Sequence, residues 1–399
     1  MKAARLEKFL HILLPYFLVV SWLAALAGAL ILYKEHHAGT IADWLINYHG
    51  GFVRRGLTGE IAIGLASLTS LNMGNVGSII VALQLLCYGI YFTFSYLLLR
   101  SMYLLPYAML IISPFIFTFQ VNEFWAGCRK EIIYFAVLSF LAWSKCSLRR
   151  DMFEKIFFTV LPLYSLVVLS HEMLILFLPY LLILYIIGSN LSRKEYCLLA
   201  VCSIPALISF MLCLHFKGTP DQVNAIFDIL EKMNYPIDRT VEGAVNWLDH
   251  STQNGIARVY RVLGEYVGSY LVATALSLAA FLPIHNTLHA LFNKKIVTVL
   301  FSLSLAATLI LAIVAVDWGR FLYIHLVSLF MLALVVDKIT QQQDQLVRAP
   351  TVPAFTLSLV VIWALTWHIP HCFPGSDGEN VTIQNIKEMN YLRIVIKRL

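Results

Sequence analysis

Residues 10–33 read LHILLPYFLVVSWLAALAGALILY, without one Asp, Glu, Lys or Arg. A helix needs about 20 largely apolar residues to cross the hydrocarbon core of a bilayer. The apolar core of a signal peptide runs to only about 7–15, ending at a clear small-residue cleavage site, whereas here the small residues lie inside a longer apolar run. It therefore reads as a retained transmembrane anchor. The rest of the chain has the same character: 59% of its 399 residues are hydrophobic and 13% are charged, against about 25% charged in soluble domains. Mean hydropathy is +0.76. That balance excludes a soluble globular domain and implies a polytopic membrane protein. The formal net charge of +6 is ordinary for this class and gives no reason to expect nucleic acid as a partner.

Working outward, apolar runs of spanning character fall near 10–33, 76–99, 102–119, 132–145, 157–170, 173–188, 197–215, 266–284, 297–316, 321–336 and 352–369. The runs 132–145, 157–170 and 173–188 are short and must borrow flanking residues. Ser170–His171–Glu172 divides the last two into a tight hairpin. Ile61–Leu71 is too short to cross and reads as a re-entrant or interfacial helix. The expected fold is all-α: a single integral membrane domain over 1–399, a transmembrane helical bundle of about eleven spans. A long loop, 217–265, carries short amphipathic helices. Ala225–Met233 (AIFDILEKM) has helical apolar spacing, and Val241–Leu248 is a second candidate after Pro236.

The positive-inside rule orients the bundle. The short loop Lys145–Lys155, KCSLRRDMFEK, carries four basic residues against two acidic, which places the N-terminus and this loop in the cytoplasm and the tail from about Pro370 outside. Nearly every polar cluster then falls on the outer face. No Walker A or glycine-rich nucleotide loop occurs on the inner side. Of the seven cysteines, Cys87, Cys146, Cys197, Cys202 and Cys213 lie in or beside apolar runs as small hydrophobes. Cys128 and Cys372 lie in polar segments and could pair.

The densest polar stretch is Asp43–Glu60, DWLINYHGGFVRRGLTGE, directly after the first span. Charge is costly near a bilayer, so such a cluster marks a functional site. Arg54 and Arg55 offer planar donor forks suited to phosphate and carboxylate. Gly50–Gly51 permits a turn or close approach to the backbone. The plainer alternative is a juxtamembrane turn touching lipid headgroups. In DWGR, Arg320 adds to the two arginines with Asp317 orienting it, or the tetrapeptide is a self-neutralised hairpin tip. His171–Glu172 supplies candidate acid–base groups, as do Asp43 and His49. Arg129 and Trp125 lie in NEFWAGCRKE, where Trp125 could stack on a sugar. In the long loop, Arg239, Arg258 and Arg261 are candidate substrate contacts or solvated surface charge; Arg258 and Arg261 share a helix face. Glu35, His36 and His37 have poor ligand geometry, and no metal or cofactor is expected.

The stretches HGGFVRRGLTGE (His49–Glu60), DWGRF (Asp317–Phe321) and the long loop resemble those of the bacterial O-antigen and capsular polysaccharide polymerases of the Wzy type. Arg54…Gly64 and Arg258…Gly268 each enclose nine residues, one fewer than a spacing seen in some members. The resemblance implies a periplasmic-face enzyme of the bacterial inner membrane. It would join undecaprenyl-diphosphate-linked glycan repeats in lipopolysaccharide or capsule synthesis, without ATP or metal, alongside a repeat-unit flippase and a chain-length regulator. Arg54, Arg55 and Arg320 would then hold the donor diphosphate, with Glu172, His171, His49 or Asp43 as base. Two alternatives stay open. One is a GT-C-type glycosyltransferase using a polyprenyl-phosphate sugar with Asp43 as acid or base. The other is a transporter or flippase of a lipid-linked anion.

Overall fold

The computed structural model describes residues 3–68, 76–341 and 354–370. Among the described residues every regular element is helical. The order is α1 (Ala3–Lys34), α2 (Ile41–Leu45), α3 (Leu57–Leu68), α4 (Val76–Leu99), α5 (Ala108–Ile111), α6 (Phe119–Asn122), α7 (Phe124–Gly127), α8 (Glu131–Ser147) and α9 (Arg150–Ser170). Then come α10 (Leu178–Ile186), α11 (Arg193–His215), α12 (Pro220–Lys232), α13 (Thr252–Ala279), α14 (His285–Phe292), α15 (Lys295–Ala312), α16 (Trp318–Gln341) and α17 (Ala354–Leu365).

Among the described residues six helices are long and apolar enough to cross a membrane: α1, α4, α9, α11, α15 and α16. α13 is a seventh if its halves, which meet at an 80° bend, form one passage. The other expected spans depart from a full-length helix. α8 has 17 residues and α17 has 12, and 173–188 is a 3₁₀ segment, Glu172–Phe177, running into the short α10.

The run 102–119 is not one helix. Pro106 and Pro114 each remove an amide donor and crowd the preceding turn, and the chain breaks into a 3₁₀ turn (Leu105–Tyr107), α5 and α6. Irregular backbone at membrane depth survives only where protein satisfies its polar groups, and here side chains do so. The Glu7 carboxylate accepts from the Leu104 and Leu105 amides. Tyr91 Oη donates to the Ile116 carbonyl at 3.0 Å, and Tyr88 Oη to that of Gly127 at 2.6 Å. Leu110, Phe115, Phe117 and Phe119 are fully buried, so the run is apolar because it faces protein, not lipid.

α16 is the centre of the bundle. Its most apolar stretch is 94% buried, against 17% for α15. A helix apolar on all sides suits either environment; the packing of α8, α10 and α14 around α16 decides it.

In the long loop, α12 contains the expected amphipathic helix. Thr219 and Gln222 form a capping box, and Val223, Ile226, Phe227 and Leu230 are buried beneath it. The second expected helix, 241–248, is absent save for a 3₁₀ turn at Asn246–Leu248, and Thr252 already begins α13. Ile61–Leu68 belongs to α3; residues 69–71 lie outside the described residues.

α3 rests on the end of α2 through Gly59, where a β-carbon would lie 2.1 Å from the Ile46 carbonyl oxygen. Gly59→Ala should therefore push the two helices apart at a cost of about 1–3 kcal/mol. Thermal unfolding in detergent checks this against Gly64→Ala, whose added methyl meets nothing within 4 Å. Equal melting temperatures would show that the α2–α3 contact yields freely.

Candidate active site

α1 delivers the chain to α2, five residues that are all buried and include Asp43. Trp44 Nε1 donates to the Cys128 carbonyl at 2.8 Å, as Gln84 Nε2 does at 2.6 Å. Thr40 Oγ1 donates to the Trp125 carbonyl. These bonds fasten α2 to the segment 125–131 and bring Arg129, Lys130 and Glu131 beside Asp43. After Gly51, whose φ of +105° suits glycine, the chain returns to Arg54 and Arg55. Arg55 sits in the left-handed region at φ +68°, a conformation that costs a non-glycine residue about 1–3 kcal/mol unless its surroundings hold it. Two contacts do. Lys130 Nζ donates to the Arg55 carbonyl at 2.9 Å, and the Arg55 guanidinium grips Glu172 at 2.7 and 2.8 Å.

The network continues from Glu172. Arg54 Nη1 lies 3.6 Å from it, while Arg54 Nη2 donates to the Trp247 carbonyl at 2.9 Å. His171 Nδ1 is 3.6 Å from Glu172 Oε2, and His171 Nε2 is 3.4 Å from Arg320 Nη2. Arg320, 2% exposed at the start of α16, pairs with the buried Glu131 and, at 3.1 Å, with Asp317. Arg54, Arg55 and Arg320 thus meet in one network, with Asp317, His171, Glu172 and Asp43. Five cations (Arg54, Arg55, Arg129, Lys130, Arg320) face four carboxylates (Asp43, Glu131, Glu172, Asp317), leaving one positive charge in excess.

Arg54 Nε, Arg320 Nε, Glu131 Oε2 and His171 Nδ1 are each buried without a hydrogen-bond partner while the rest of their side chain is engaged. Asp43 and Arg129 are the two members whose side chains make no hydrogen bond at all among the described residues. Asp43 is fully buried, yet neither carboxylate oxygen has a hydrogen-bond partner. Its nearest cations, Arg55 Nη1 and Lys130 Nζ, stand at 3.8 and 3.9 Å from Oδ1. Arg129 is half-buried; its Nε is sealed without a partner, and among the described residues its guanidinium makes no hydrogen bond or ion pair. Burial pushes the Asp43 carboxyl up, but Lys130, His171, Arg55 and Arg129 together outweigh it and hold the group below the usual carboxylate range. Burial likewise raises Glu172, and Arg55 and His171 reverse that and hold it well below the usual range. Burial and Arg55 push His171 down, against the opposing pull of Glu172 and Asp43. Burial drives the Lys130 ammonium down to about 8.

Not every expected residue joins the cluster. His49 is exposed at the turn, its amide donating to Asn47 Oδ1. Arg239 pairs with Asp228 and Glu231 on the loop surface. Arg258 pairs with Glu242 and lies over the Trp247 ring at 5.1 Å. Arg261 is exposed on α13. Exposure explains all four: these charges are solvated where they stand, and nothing draws them inward. Trp125 borders the cluster through its carbonyl and stacks at 6.4 Å on His37. His325, inside α16, is fully partnered by Tyr180 and Thr308 and serves as a packing link. Lys130 was missed as a site residue; the signal was a run of three charges, Arg129–Glu131, at the mouth of an apolar segment. Among the described residues no three His, Cys, Asp or Glu side chains are placed to hold a metal ion. Cys128 is buried with a free thiol, and Cys372 lies outside the described residues.

Lys130 gives the site a pH dependence. Above about pH 8 it loses its charge, and Asp43 and any bound anion lose a cation. Turnover should therefore fall as pH rises through about 8, and Lys130→Arg should move that limb upward. Stability runs the other way on this group's account. The unfolded chain keeps the proton to about 10.5, so from pH 8 to 10 the lysine increasingly favours the folded state. A melting curve at each pH separates the two. A flat rate profile to pH 10 would remove Lys130 from the mechanism. No family model, no curated protein and no solved structure matches this chain.

Proposed function

We propose that this protein is a membrane-embedded glycosyl-transferring enzyme that takes its sugar from a polyprenyl-linked phosphate donor. The observation that carries this reading is Asp43: ionised, sealed from solvent, ringed by cations, and with both oxygens free to accept. An acceptor hydroxyl placed against Asp43 gives its proton to the carboxylate as its oxygen attacks the anomeric carbon. The bond from that carbon to the phosphate oxygen breaks, and the phosphate leaves with the electron pair. Arg129, with its whole fork open, is the residue that receives the developing charge. Arg54, Arg55 and Arg320 are already neutralised by Glu172, Glu131 and Asp317. One open guanidinium and one excess charge suit a monophosphate leaving group better than a diphosphate, which supports the GT-C-type reading. The repeat-unit polymerase is the second reading, and the meeting of Arg54, Arg55 and Arg320 in one network favours it.

In either reading the cluster faces the periplasm, the N-terminus faces the cytoplasm, and about eleven passages cross the inner membrane. The shorter and broken elements complete the six full-length helices. Purified protein in proteoliposomes, offered a polyprenyl-phosphate sugar or an undecaprenyl-diphosphate oligosaccharide, separates the two donors by the lipid product released. Arg129→Ala should slow transfer about a hundredfold or more, with Arg129→Lys recovering part of it. Unchanged transfer by Arg129→Ala would move the phosphate elsewhere. A cysteine in α12 should react with an impermeant thiol reagent in spheroplasts while one at 148 does not; the reverse would invert the topology.

A further inference from the structure

A second polar site lies at the far end of the helices that build the first. α8 runs from Glu131 in the cluster to Lys145, α9 from Arg150 to the cluster's edge at Ser170, and α16 from Arg320 to Gln341. Where the remote ends meet the end of α10 there is a cavity of about 180 Å³, lined among others by Lys145, Arg150, Phe153, Glu154, Tyr185 and Gly188. A water needs only about 10–15 Å³ by the same measure, so a polyatomic ion fits.

Two donors in this cavity have hydrogens to spare. Tyr185 is 3% exposed, and its hydroxyl faces the Glu195 carboxylate without a hydrogen bond of normal length and angle. Glu195, the acid that faces it, is taken up by Arg150 and by the amide and hydroxyl of Ser192. Glu154 is held by Arg150 Nε at 2.6 Å. The Lys145 ammonium makes one hydrogen bond, to the Tyr185 carbonyl at 2.8 Å, and lies 5.1 Å above the Phe153 ring. An ammonium has three donors, so two remain. Lys294, bound to the carbonyls of Ser189 and Ile186, adds a cation at the rim. Arg150 pairs with both carboxylates, and the three cations Lys145, Arg150 and Lys294 outnumber the two acids, so the cavity favours an anion with several oxygens.

We infer that this cavity binds a phosphate group at the face of the bundle opposite the candidate active site, with Lys145 and the Tyr185 hydroxyl as its ligands. The chemistry is a phosphate ester, and two sources offer it: the headgroup of an anionic phospholipid in the adjoining leaflet, or a soluble ester.

The test is native mass spectrometry of the purified full chain with phosphatidylglycerol or phosphatidylcholine of the same acyl chains. Phosphatidylglycerol should be retained over phosphatidylcholine. Lys145→Met should weaken that retention about tenfold, the scale of one charge-assisted hydrogen bond, and Tyr185→Phe by less. Loss of retention on adding glycerol phosphate assigns the site to a soluble ester, and persistence assigns it to the lipid; both outcomes support a phosphate site. Equal retention of the two lipids, or wild-type retention by Tyr185→Phe and Lys145→Met, overturns it. Should Lys145→Met fail to fold, Tyr185→Phe, which removes only the hydroxyl, still decides.

Discussion

Asp43→Asn should give a folded, membrane-inserted protein with glycosyl transfer reduced by about three orders of magnitude. The substitution keeps the shape of a fully buried side chain and removes the ability to accept a proton. General-base groups typically contribute about 10²–10⁴-fold. The change also leaves Arg55 and Lys130, at 3.8 and 3.9 Å, without the nearby negative charge that offsets them. The excess of positive charge grows, and that favours binding of the phosphate donor. Donor affinity should therefore hold or rise while the rate collapses, a split that general unfolding does not produce. The measurement is product formation per milligram of protein in proteoliposomes, beside donor binding to the same sample. Transfer within about tenfold of wild type at equal expression would dismiss Asp43 as the base and return the role to Glu172 or His171.

Arg320→Ala carries the second large effect. Arg320 is bound to Glu131 and to Asp317, and the Arg320 and Glu131 side chains are 3% and 4% exposed. Breaking a buried pair by removing one partner costs about 3–5 kcal/mol, because the remaining charge has neither water nor a counter-ion. The variant should thus lose both stability and activity, more than any single change at Arg239, Arg258 or Arg261, which are exposed. The double variant Arg320→Ala with Glu131→Gln removes the orphaned charge and should recover most of the melting temperature. Activity should stay low, since His171 has lost the cation 3.4 Å away and Arg129 its neighbour. A double variant that regains full transfer would show that Arg320 only balances Glu131. An Arg320→Ala protein as stable as wild type would show that this ion pair is not sealed from water.

Much of the membrane architecture was legible in the chain, because one property decides it. A bilayer rewards continuous apolar length, and α4 occupies Val76–Leu99, the very limits of its apolar run. The break at Ser170–Glu172 and the amphipathic α12 were legible for the same reason: three polar residues interrupt a run, and apolar residues recur at helical spacing. Charge beside a span also pointed to the Asp43–Arg55 stretch, to His171–Glu172 and to Arg320, since a bilayer makes such charge costly wherever it stands.

Tertiary structure decided what length and periodicity do not encode. The run 102–119 is as apolar as a span, but hydropathy cannot distinguish lipid from protein as the solvent of a side chain. The backbone groups left outside a regular helix beside Pro106 and Pro114, the Leu104 and Leu105 amides and the Ile116 carbonyl, found partners only because α1 and α4 lie alongside. Which charges are buried was equally hidden. Arg239 and Arg258 look in sequence much like Arg54 and Arg320, and only the fold leaves the first two in water and the others in a closed network. The open valences of Asp43 and Arg129 were invisible for the same reason. Whether a carboxylate has a partner is a property of the side chains that surround it, and here those come from α2, the 125–131 segment, the end of α9 and the first turn of α16.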